Sequence, residues 1–195
     1  MPASHSTVGP APSRAATATH LPAPTVSDLV SAKPSAVAVR PVAPGDLPGL
    51  EALFGGLTKE ASYRRWFTHA VDIRRAAIWA AYPEAEDALG LVATADGEIV
   101  GHGALIPIDD ERAEVCFEVA AAWRQQGLAS RLLADLARGA GKRGLQTLVA
   151  EVLCENADML AVLRGHGPCR EHREGGVVEL ELPVSLEDST PDDPR

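Results

Sequence analysis

Between residues 36 and 184 apolar and polar positions change period along the chain, and each change marks an element. "AVAVRPV" (36–42) reads as a short strand. "PGDLPGLEALFGGL" predicts a helix over 47–54, with Asp46 as its N-cap and Gly55-Gly56 as its end. "TKEASYRRWF" predicts a second helix capped by Thr58, and the chain through "THAVDIRRAAIWAAY" is expected to continue helical. Two apolar runs then flank Asp96-Gly97, the strongest short-range hairpin signal. "RAEVCFEVA" alternates with period two. It sets Ala113, Val115, Phe117 and Val119 on one face of a strand and Glu114, Cys116 and Glu118 on the other. "LASRLLADLARGAGKRG" is helical and ends at Gly144, "LQTLVAEVL" is a strand, "ENADMLAVLRGHG" a helix, and "GVVELELPV" a closing strand. The expected order is βαα-βββ-α-β-α-β, an α/β (α+β) mixed sheet flanked by crossover helices.

Composition adds the boundaries. In residues 1–36 only Arg14, Asp28 and Lys33 are Asp, Glu, Lys or Arg, within an Ala/Pro/Ser/Thr-rich stretch. Such a segment lacks the apolar residues that offset the entropy of ordering, so a disordered tail is expected there, with at most a short helix over Val26–Ala32. Residues 185–195, "SLEDSTPDDPR", read as an acidic disordered tail, which leaves 37–184 as one domain. The 195 residues carry a net charge of -9, which argues against nucleic-acid and anionic-membrane partners. No apolar run approaches the roughly 18 residues of a membrane span. Cys116, Cys154 and Cys169 have no paired spacing, so neither a disulfide framework nor a metal site is expected. A cytoplasmic location is the expectation from these features together with the absence of a secretory signal pattern.

The chemistry starts at "WRQQGLASRLL" (123–133), where a strand passes directly into a helix. A helix start presents backbone N–H groups and the positive end of a dipole, and phosphates bind there when side chains leave the approach open. Gly127 and Ala129 are small, and Arg124 adds charge. The run Arg124-Gln125-Gln126-Gly127-Leu128-Ala129 resembles the Q/R-x-x-G-x-G/A pyrophosphate loop of the GNAT acetyltransferase superfamily. The strand before it, the strand after its helix, and Asn156 heading the next helix stand in that superfamily's order.

A narrower resemblance is to the GNAT domain of bacterial Pat-type protein-lysine acetyltransferases. It rests on "VRPVAPGD", on Thr58, Glu60, Tyr63, Arg65 and Trp66 in an S/T-x-E-x-x-Y-x-R-F-like segment, and on "AEVCFEVA". It implies the GNAT fold, with a mostly antiparallel central sheet, and an acetyl-CoA-dependent N-acetyltransferase acting on a primary amine, foremost a protein lysine. By the same resemblance Glu114 is the general base, and Phe117, Glu118, Val119, Arg124, Gln125, Gln126, Gly127, Leu128, Ala129, Ser130 and Asn156 hold acetyl-CoA, without a metal. The pantetheine arm would lie along Phe117–Val119 as an added strand. Gln125 and Ala129 replace glycines of the family loop, Leu163 stands where many members have a tyrosine, and "GHGP" replaces a closing "GF".

Other readings stay open. Glu118 shares the Glu114 face as a rim residue or a second candidate base, Cys116 could carry an acetyl group, and His166 could serve as general acid. His102 is read as a strand histidine beside a glycine kink or as a substrate contact. Tyr63 and Trp66 are expected to pack inward and Arg64 to face out. A small-molecule amine acetyltransferase, and a non-catalytic acyl-CoA-binding module, are the alternative functions.

Overall fold

The computed structural model describes residues 36–184. The two expected tails and the Val26–Ala32 helix lie outside the described residues. Seven strands form one sheet: β1 (Ala38–Pro41), β2 (Leu89–Ala95), β3 (Glu98–Pro107), β4 (Arg112–Val119), β5 (Thr147–Leu153), β6 (Arg170–Glu174) and β7 (Val177–Pro183). Their order across the sheet is β1-β2-β3-β4-β5-β7-β6. Every neighbouring pair is antiparallel except β4 with β5. Among the described residues five α-helices accompany it: α1 (Leu47–Gly55), α2 (Lys59–Trp66), α3 (Ile73–Ala81), α4 (Leu128–Lys142) and α5 (Ala157–His166).

The hairpin between β2 and β3 turns on Asp96 and Gly97, at φ 50° and 85°, the left-handed pair a tight hairpin requires. The sheet has an apolar cluster on each face. Leu132, Leu133 and Leu136 of α4 and Leu163 of α5 pack on Val115, Phe117, Leu148 and Leu180. Leu50 and Phe54 of α1 and Ala77 and Ala80 of α3 pack on Val42 and Val92. Gly101 and Gly103 explain how β3 serves both faces. A Cβ at Gly103 would stand 3.0 Å from Leu136 Cδ1, and one at Gly101 3.3 Å from Leu132 Cδ1, so their bareness lets α4 lie close. The residue between them, His102, points to the opposite face, as strand alternation demands.

Three expectations are corrected. The helix begun by Thr58 does not run on. Thr58 Oγ1 accepts from Ala61 N as expected, but Phe67 takes φ 54° and ends α2, and Asp72 caps a separate α3 by accepting from Arg75 N. Asp46 does not cap α1 through its side chain. Its carboxylate is held by two 2.7 Å bonds from Arg40 and one from Ala43 N, pinning the chain after β1. The closing strand is one arm of a hairpin. "REHRE" forms β6, exposed at every position, and pairs with β7 through Gly175-Gly176, at φ 55° and 88°. A run of four charged residues around His172 carries no apolar alternation, and charge is how an edge strand resists pairing with another chain.

Candidate active site

The site forms where β4 and β5 part. They pair only at Arg112–Thr147, Ala113–Leu148 and Glu114–Val149. Beyond that point they diverge around a cleft of about 640 Å³, bordered by Glu114–Val119 on one side and Ala150–Val152 on the other.

Register fixes which backbone groups face the gap. Antiparallel neighbours alternate between hydrogen-bonded and open pairs. Ile108 N donates to Arg112 O and Ala120 N to Val100 O at the two ends of the β3–β4 ladder. The even-numbered residues of β4 are therefore bonded to β3. The C=O group of Val115 and the N–H and C=O groups of Phe117 and Val119 point instead toward β5, which has moved away. One of them is engaged: Arg124 Nε donates to Val119 O at 3.2 Å. The row of backbone groups around Phe117 is a strand edge inside the molecule.

The far end of the cleft is the start of α4. A short turn, Ala121–Trp123, leads into the loop. Gln125 takes φ 58° and Gly127 φ 76°. Gly127 is the N-cap and offers no side chain to cap the helix. The first intrahelical donor is Arg131 N, to Gly127 O at 3.0 Å, which leaves the Leu128, Ala129 and Ser130 amides without a partner inside the helix. Nothing lies within 4 Å of a Cβ built on Gly127, so the approach is open. Arg124, Gln125, Gly127, Leu128, Ala129 and Ser130 all border the cleft. Gln126 does not. Its side-chain amide turns back to Ala122 O at 2.9 Å. Asn156 borders the cleft opposite, buried, with Oδ1 accepting from Met159 N at 3.4 Å to cap α5.

On the other face of β4, Glu114, Cys116 and Glu118 differ sharply. Glu114 is exposed at the cleft. Glu118 is not a rim residue; it is buried directly across from His102 on β3. His102 Nδ1 lies 2.9 Å from Glu118 Oε1, and Arg65 Nε donates to Glu118 Oε2 at 2.8 Å. Arg65 Nη2 also reaches Cys116 Sγ at 2.9 Å. Burial alone would raise the Glu118 carboxyl, but the Arg65 guanidinium and the His102 imidazole outweigh it and hold it below the usual carboxylate range. Burial pushes the Cys116 thiol up, Arg65 opposes this, and the Glu118 and Glu114 carboxylates add to it, bringing it to about 11. At neutral pH Cys116 is therefore held as the thiol, not the nucleophilic thiolate.

In the sequence Arg65 stands in the segment with Tyr63 and Trp66, and no local rule assigns it a partner. A signal was present: the turn between β3 and β4 sets His102 directly opposite Glu118, and a buried carboxylate between strands needs a cation from the covering helix. Trp66 does pack inward, edge-on to Phe54 with ring centroids 5.4 Å apart. Tyr63 instead stacks on His69 at 4.5 Å. Arg64 pairs with Glu60, and both border the cleft. His166, at the end of α5, does not border the cleft, whereas Leu163 is buried beside it.

The model of the acetyltransferase (GNAT) family matches residues 57–167. Among solved structures, the chain is similar to the GNAT domain of S. lividans PAT, at 30% identity and a TM-score of 0.68, over 75% of this chain and 89% of that one. A GNAT superfamily phosphinothricin acetyltransferase from Sinorhizobium meliloti, solved in complex with AcCoA, shares the fold at 13% identity and a TM-score of 0.65, over 79% of this chain and 91% of that one. Spermidine N-acetyltransferase from Vibrio cholerae, solved with CoA and spermine, does so at 16% identity and a TM-score of 0.61, over 76% and 95%. No curated protein matches.

Proposed function

Because the chain belongs to the GNAT family of acetyltransferases, we propose that it moves the acetyl group of acetyl-CoA onto a protein lysine side chain, with Glu114 as the general base. The observation that carries this reading is the alignment of three features along one cleft. They are the exposed carboxylate of Glu114, the open backbone edge of β4, and the uncapped start of α4. The site fits the donor molecule on its own terms: small residues line the loop and unpaired amides lie at both ends.

Acetyl-CoA supplies a thioester-bound acetyl group and a pyrophosphate handle. The Leu128, Ala129 and Ser130 amides would receive the pyrophosphate at the helix start, with Arg124 alongside. The Val115 C=O and the backbone groups of Phe117 would pair with the amide-bearing arm as a strand edge does, and the Phe117 N–H would donate to the thioester carbonyl oxygen. The acceptor ammonium has an ordinary pKa near 10.4, so it must lose a proton before attacking. Glu114, at the cleft and free of the Glu118 ion pair, is the carboxylate placed to take it. General-base assistance of this kind contributes about 10²–10⁴ in rate.

The lysine acceptor draws its support from the resemblance of the Thr58–Trp66 segment and of "AEVCFEVA" to Pat-type protein-lysine acetyltransferases, alongside the 30% identity with the GNAT domain of S. lividans PAT. A second reading, a small cationic amine, is favoured by the Glu60, Glu114, Glu151 and Asp158 carboxylates that border the cleft. Thiol release from acetyl-CoA separates the two, measured with lysine-bearing proteins and with free polyamines and amino acids. Turnover on lysine side chains is expected. Turnover on free amines alone would overturn the protein acceptor.

A further inference from the structure

A second cavity of about 490 Å³ lies behind Arg65, away from the β4–β5 gap. Its volume is within the roughly 300–1,000 Å³ usual for small-molecule sites. Phe54 from α1, Trp66 from the end of α2, Trp79 from α3 and Ile106 from β3 form apolar and aromatic walls, and His102 borders it. Segment 68–72 closes one side, and Asp72 and Arg75 bring both signs of charge. The charge of Arg65, which borders both cavities, is already answered by Glu118.

One polar atom here is unsatisfied. His102 is 1% exposed, and its Nε2 is buried without a hydrogen-bond partner. The other ring nitrogen faces Glu118 Oε1. An ionised carboxylate only accepts, so Nδ1 carries a hydrogen, and the tautomer protonated there presents Nε2 as an acceptor. A buried polar atom without a partner is rare and demands one. The Phe54 ring stands edge-on to the imidazole at 5.7 Å and to Trp66 at 5.4 Å, so the orphan nitrogen is framed by aromatic surface.

We propose that this second cavity is a binding site for a small uncharged ring compound bearing one hydroxyl or N–H donor. The ring lies against Phe54, Trp66 and Trp79, and the donor meets His102 Nε2. No net charge is called for, since the buried charges are already paired. The site is separate from the acetyl-CoA cleft but shares the Arg65 and Trp66 side chains with it.

The test uses phenol as the probe and anisole, which lacks the donor, as its matched control. Both are titrated calorimetrically into the wild-type protein with the main cleft saturated by acetyl-CoA. Nitrogen NMR of the His102 ring provides the second readout. Phenol is expected to bind saturably and at least about tenfold more tightly than anisole, equivalent to about 1.4 kcal/mol, with the Nε2 resonance moving toward the hydrogen-bonded range. Equal binding of the two compounds or an unmoved His102 resonance would each overturn the proposal. So would the absence of saturable binding, which leaves water as the partner of Nε2.

Discussion

Glu118→Gln tests the buried ion network directly. Side-chain exposure is 6% at Glu118, 16% at Arg65 and 1% at His102, so none of the three can turn to solvent for compensation. The amide conserves volume. Its oxygen can still accept from Arg65 Nε, and its nitrogen can donate to His102 Nδ1 if the imidazole adopts its other tautomer. What is lost is the negative charge beside a buried guanidinium. Two unit charges about 4 Å apart interact by about 4 kcal/mol at an effective dielectric of about 20. Removing one partner of a buried pair costs about 3–5 kcal/mol in measured cases. Both routes give the same expectation, a loss of about 3–5 kcal/mol. At about 2–4 °C per kcal/mol for a domain near this size, Tm should fall by about 6–20 °C.

Urea unfolding at neutral pH, followed by tryptophan fluorescence, measures this loss. The companion variant Arg65→Met with Glu118→Leu removes both charges and should be far less destabilised than Glu118→Gln, since no buried charge is then orphaned. The pH dependence has a definite sign. The folded-state pKa of Glu118 is lowered, so its contribution is complete above the unfolded value near 4.3 and is lost as pH falls through the folded value. Glu118→Gln should therefore flatten part of the acid limb of the stability profile. A loss under about 1 kcal/mol, or a double variant no more stable than the single one, would refute the reasoning, because exposed pairs show that magnitude.

Glu114→Gln should lower kcat by about 10²–10⁴ while acetyl-CoA affinity by calorimetry stays unchanged; an unchanged rate removes Glu114 as the base. Gln125→Gly relieves a left-handed residue whose side chain is exposed, and should stabilise the protein by about 0.5–1 kcal/mol in urea unfolding, where a loss would mean that the glutamine side chain makes a contact of its own. Cys116, raised to about 11, contributes stability that is complete below the unfolded thiol value near 8.5 and is lost as pH rises through about 11. Stability should decline across that window, a Cys116→Ala variant should lose that part of the slope, and thiol reagents should label the exposed Cys154 first. Asn156→Ser keeps a capping oxygen, so stability should hold within about 0.5 kcal/mol, and any loss of acetyl-CoA affinity then belongs to the amide group itself.

The elements legible in the sequence were those whose signal is local and periodic. The alternation of β4, the Asp96-Gly97 turn and the glycine-led start of α4 each carry their geometry in a few adjacent residues. The break between α2 and α3 was missed because "THAVDIRRAAIWAAY" keeps helix-forming composition across it; Phe67 in the left-handed region and the Asp72 cap are what divide it. β6 was missed because pairing with β7, and not burial, makes it a strand. Asp46 stood at a proper N-cap position and was drawn away by Arg40, a residue six positions earlier whose partner no local rule selects. The roles of Glu118 and Arg65 depended on strand register and on which face of α2 meets the sheet, facts that exist only once the fold is assembled.

Strand β4 joins these observations into one argument. Its odd-numbered side chains are buried under α4 and α5, which fixes the strand to the larger core. Their backbone groups are the ones left open where β5 departs, so the open backbone edge is set on rigid structure and not on a loop. The even-numbered side chains form a graded series on the other face. Glu118 is buried and paired, Cys116 is held as a thiol beside the same guanidinium, and Glu114 is exposed at the cleft. Arg65 carries that series, because its guanidinium bonds Glu118 and Cys116 and also feels the charge of Glu114. One arginine on α2 thereby ties the covering helix to the strand that bears the candidate base. Loss of its anchor at Glu118 should loosen the acceptor side of the cleft while leaving the uncapped start of α4 intact, so Glu118→Gln should disturb acceptor KM more than acetyl-CoA affinity.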